Sequence, residues 1–76
     1  MTTAAIAATA TSPALRRIRD GYWRVTASSG IVLGYVEEVA AAAEPRFVAK
    51  RLVPSTTRVV AIGEFWHREE AAECLR

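Results

Sequence analysis

Apolar and polar positions alternate with a period of two through the middle of the chain, and a helical spacing replaces that pattern only near residue 66. The alternation begins at Tyr22. Trp23, Val25 and Ala27 point one way, while Arg24, Thr26 and Ser28 point the other. Ser29-Gly30 is a turn signal, and Ile31 to Val39 reads as the returning strand. A third strand over Arg46 to Val53 sets Phe47, Ala49, Arg51 and Val53 on one face, with Arg46, Val48, Lys50 and Leu52 on the other. Pro54 to Thr57 is a loop, and Arg58 to Phe65, rich in β-branched residues, is the fourth strand.

Trp66 to Arg76 then reads as a helix. Glu69 and Glu70 in its first turn and Arg76 at its end complement the helix dipole, and Ala71, Ala72 and Leu75 share the side that would face a sheet. Ahead of the strands, residues 1–12 are almost entirely Ala, Thr and Ser, too small to offset the entropy of ordering, and read as a flexible tail. Ser12-Pro13 has the residue types of an N-cap and a first helical position, which predicts a short helix over Pro13 to Arg19 closed by Asp20-Gly21. Ala40 to Ala43 with Glu44-Pro45 form a soft connector. The two hairpins resemble each other, each ending in an aliphatic-Gly-x-hydrophobic step (Leu33 to Val36, Ile62 to Phe65), and a strand glycine marks a bulge or a close backbone approach. The expected architecture is a single α+β domain over residues 13–76, a four-stranded antiparallel sheet packed on one carboxy-terminal helix.

Composition narrows the function classes. With 76 residues the core is small, and such chains often lean on a disulfide, a metal or a second subunit. Cys74 is the only cysteine and His67 the only histidine, so neither an internal disulfide nor a four-ligand zinc site is expected. That leaves packing, or packing with self-association. No apolar run approaches the roughly 20 residues of a membrane span. Met1 to Ala14 lacks the basic start of a signal peptide, and the expected location is cytoplasmic.

Chemistry is sparse. The chain has no glycine-rich phosphate loop, no paired catalytic carboxylates and no nucleophile constellation, so no enzyme activity and no cofactor are expected. His67 reads as a helix-start surface residue, Cys74 as a small buried hydrophobe, and Trp23 and Trp66 as core. Glu69, Glu70 and Glu73 read as a solvated helix face, and Glu37 and Glu38 as a blunted strand edge.

The net charge of +2 conceals blocks of one sign. Within residues 1–36, Arg16, Arg17, Arg19 and Arg24 face Asp20 alone, and within 45–58, Arg46, Lys50, Arg51 and Arg58 stand without an acid. Arg24, Arg46, Lys50 and Arg58 are the candidate phosphate contacts, since such contacts supply most nonspecific affinity for nucleic acid. Val48, Leu52, Val59 and Ala61 share that face and invite a second cover instead, which could be the Pro13–Arg19 helix, another copy of the chain or a protein partner.

Residues 46–75 resemble a known pattern. Phe47-Val48-Ala49 is similar to the aromatic strand of Apetala-type (ethylene-response) domains and integrase arm-type DNA-binding domains. Ile62-Gly63-Glu64-Phe65 is similar to their strand end, and Glu69-Glu70-Ala71-Ala72 to their helix start. The resemblance implies a sheet laid in the major groove of double-stranded DNA with the helix behind it. The groove-facing positions would then be Arg46, Val48, Lys50, Leu52, Val59 and Ala61. Val59 and Ala61 stand where the family carries a basic and an aromatic residue, and His67 replaces its Thr cap. Two readings follow: a small DNA-binding or DNA-associated accessory protein, as from a phage or mobile element, or an interaction or self-association module without nucleic acid.

Overall fold

The computed structural model describes residues 13–40 and 44–76. Alternating segments become β1 (Ala14–Arg19), β2 (Tyr22–Thr26), β3 (Val32–Val39), β4 (Arg46–Leu52) and β5 (Val59–Phe65), and the helically spaced segment becomes α1 (Arg68–Cys74). The strands lie in the order β1-β2-β3-β4-β5, each antiparallel to its neighbour. The class is α+β, with five strands where the pattern suggested four. The tail at 1–12, with the Ser12 cap, and the connector at 41–43 lie outside the described residues.

The extra strand is the segment expected to be helical. Asp20-Gly21 links β1 to β2 as a hairpin turn, with Gly21 at φ 73°, a left-handed conformation that suits a hairpin as well as a helix end. A helix of this length would nucleate poorly. As a strand, β1 pairs along β2 and packs Leu15 against the core.

One face of the sheet carries that core. Val25, Val36 and Ala49 meet Ala71, Ala72 and Leu75 of the helical end, and all but Ala72 are fully buried. Leu15, Trp23, Leu33, Phe47 and Phe65 pack around them, with the Trp23 and Phe47 rings 6.0 Å apart. The alanines let α1 approach the strands closely, and Leu75 is its only large buried side chain. Arg51 reaches from β4 to donate a hydrogen bond to the Cys74 carbonyl at 3.3 Å, placing a cation at the negative end of the helix.

The strand glycines behave as their spacing suggested. A Cβ on Gly34 would overlap the Lys50 carbonyl oxygen and lie 3.0 Å from its carbon. Gly63 borders a register shift in β5, where Ala49 pairs with Gly63 and Lys50 with Ala61. Other expectations need correction. α1 is shorter than Trp66 to Arg76; His67 stands at the N-cap, without a side-chain capping bond. Trp66 lies outside the core, 53% exposed, because the chain turns away from the sheet between β5 and α1. Cys74 is exposed, since the buried stripe of the helix runs through Ala71, Ala72 and Leu75. Glu37 and Glu38 blunt no edge, because β3 is the middle strand.

Candidate functional site

With α1 on one face, the other face of the sheet has no covering element among the described residues. Residues opposed across antiparallel strands share a face, so register alone assembles the surface. One row runs Arg16, Arg24, Tyr35, Lys50 and Ala61 from β1 to β5. The next runs Arg19, Tyr22, Glu37, Val48 and Glu64. Leu52 and Val59 sit side by side at the far end of β4 and β5.

The rows interlock through their side chains. The Arg19 guanidinium lies 4.4 Å from the centre of the Tyr22 ring, which stacks on Tyr35 at 5.4 Å with 18° between planes. Lys50 pairs with Glu37 and brings its ammonium within 5.9 Å of the Tyr22 ring. Arg46 is pinned between Glu64, at 3.7 Å, and the Trp66 ring, at 3.9 Å. Both acids of the face are therefore matched by a cation, while Arg16, Arg19 and Arg24 have no ion pair among the described residues. Their charge is gathered at the β1–β2 end.

The most informative contact is an unfavourable one. Arg16 and Arg24 are direct cross-strand partners, both exposed, and like charges opposed in this way destabilise a sheet. No carboxylate among the described residues pairs with either arginine.

Of the four basic residues singled out by the sequence, Arg24, Lys50 and Arg46 lie on this face, but Lys50 and Arg46 are held by internal partners. Arg58 precedes β5 and bonds its carbonyl to the Val53 amide at 2.9 Å, so alternation from the Leu52–Val59 pair places it on the opposite side. The candidate interface residues Val48, Leu52 and Val59 do share the face. Lys50 stands between Val48 and Leu52, however, and Glu37 and Glu64 flank Val48, so the apolar positions form no continuous patch. Arg16, Arg19, Tyr22 and Tyr35 escaped the sequence reading. Counting outward from Asp20-Gly21 as a hairpin turn opposes Arg17 to Arg24, and only the register shift between Arg17 and Arg19 sets Arg16 there instead.

Five strands span about 19 Å at the usual spacing, wider than the roughly 12 Å major groove, which admits a two-stranded ribbon or a helix. Among the described residues no group of three or more His, Cys, Asp or Glu is placed to hold a metal ion. No described helix is long and apolar enough to cross a membrane. No family model matches the chain, and no curated protein or solved structure matches it either.

Proposed function

We propose that the chain is a non-enzymatic nucleic-acid-binding module that works through its uncovered sheet face. The Arg16–Arg24 pair carries this reading: two exposed arginines, directly opposed and without carboxylates, continue into Tyr35 along one row. Phosphate is the ligand chemistry that offsets such a pair and that arginine geometry suits. The stack of Arg19, Tyr22 and Tyr35 beside it adds the mixed cationic and aromatic character of nucleic-acid-binding surfaces. The similarity of residues 46–75 to Apetala-type and integrase arm-type domains supports the same ligand class, with the contacts moved from β4 and β5 to β1 and β2.

Fluorescence anisotropy with labelled DNA at two salt concentrations tests this. Affinity falls steeply as salt rises, and Arg16→Ala or Arg24→Ala reduces the slope of log K against log salt by about 0.7 to 0.9 each. Arg46→Ala has the smaller effect, since that side chain is already held by Glu64 and Trp66. Binding that ignores salt, or that survives loss of both Arg16 and Arg24, overturns the reading.

The aliphatic end of the face supports a second reading, self-association. Leu52 and Val59 adjoin, Val59 is 38% exposed, and a small core gains from a second subunit. A dimer mass in solution that reverts to monomer in Leu52→Glu, with no affinity for DNA, would favour it.

A further inference from the structure

We infer that the preferred ligand is single-stranded, with an unpaired base stacking on Tyr35 while the adjoining phosphates meet Arg24 and Arg16; this rests on the nucleic-acid reading above. The aromatic stack has one closed end and one open end. Tyr22 is engaged by Arg19, Lys50 and Tyr35, whereas Tyr35 has no ring or cation against it other than Tyr22 among the described residues. Its direct neighbours in the row are Arg24 on one side and Lys50 on the other, and only Arg24 lacks an internal carboxylate. A ring half-buried at the end of a stack, next to unmatched arginines, offers a π-face and charge at the same place.

Duplex DNA cannot use both. Its base faces are already covered by their neighbours, so it would engage the arginines through phosphate and leave the ring idle. An unpaired base gains the ring as well, and base–aromatic stacking is tolerant of sequence because every base has a π-face. Sheet width points the same way: a surface about 19 Å across overfills a groove of roughly 12 Å but is ample for one strand lying across it. The remaining large aromatics of the sheet, Trp23, Phe47 and Phe65, pack against the core and do not compete for this role.

The test uses the full chain and four labelled probes: a mixed-sequence 12-nucleotide DNA, its RNA counterpart, the matching duplex, and the same DNA strand carrying abasic sites. At equal salt the single strand should bind at least about tenfold more tightly than the duplex, and the abasic strand should lose about tenfold. Tyr35→Phe retains the preference. Tyr35→Leu, which keeps apolar bulk in β3 but has no π-face, should bind the normal and abasic strands equally. The DNA and RNA arms identify which strand chemistry is favoured. Equal or tighter duplex binding, or an abasic strand bound as well as the normal one by the native chain, overturns the inference and leaves nucleic-acid binding standing. Failure to bind any probe overturns both.

Discussion

Gly34→Ala is expected to abolish cooperative folding. The added methyl group would overlap the Lys50 carbonyl oxygen and sit 3.1 Å from the Arg51 Cα, so its obstacle is backbone of the paired strand. Side chains can rotate away from an intruder, but β4 can move only by breaking its ladder with β3. That ladder is central: β3 is the middle strand, and Val36 and Ala49 of the pair are both core residues. Overpacking typically costs about 1–3 kcal/mol where neighbours can shift, and a methyl group overlapping a paired-strand carbonyl oxygen exceeds that range. A domain of this length holds on the order of 5 kcal/mol in total. Far-UV circular dichroism during a thermal ramp should show no sigmoidal transition for the variant. A melting temperature within a few degrees of the native one would mean that β3 and β4 do not approach as closely as described.

The second large effect is at Leu75. It is the largest fully buried side chain, and the two other core contacts from this end of the chain are alanines. A seven-residue helix has too few internal hydrogen bonds to persist alone, so α1 exists because it is docked. Leu75→Ala is therefore expected to cost about 3 kcal/mol, from lost transfer energy and the cavity left behind. Leu75→Met, similar in volume, should cost less than about 1.5 kcal/mol. Urea titrations of the three proteins give the comparison directly. An alanine variant with an unchanged midpoint would show that α1 is held by the bond from the Arg51 guanidinium to the Cys74 carbonyl and by Ala71 and Ala72 alone.

Most of the fold was legible because β2 to β5 keep the two-residue period, and their observed limits fall within two residues of the pattern. β1 was not, for an identifiable reason. Its register shifts between Arg17 and Arg19, so Ile18 falls out of the alternation and stands three residues from Leu15. An apolar pair at that spacing, behind Ser-Pro, imitates a helix. The basic site was legible only in part. Which arginines are unmatched depends on register: Lys50 finds Glu37 on the strand beside it, and Arg46 finds Glu64 and Trp66 across β5. The tyrosine stack likewise requires the alignment of β2 with β3, which no spacing within either strand reveals.

The neighbour-to-neighbour strand order also bears on the rate at which the structure is lost. Each strand needs only the one before it in sequence, so the sheet can assemble by successive local closures, and hairpins of this kind form in microseconds. α1 is different: it packs on β4, β3, β5 and β1, and the last of these lies some fifty residues away in the chain. Docking of the helix is the step with the largest separation to close, and it is expected to follow the transition state. In a chevron plot, Leu75→Ala should raise the unfolding rate and leave the folding rate nearly unchanged, whereas a hairpin substitution slows folding. The lifetime of the native state is then governed by how long two turns of helix stay seated on the sheet.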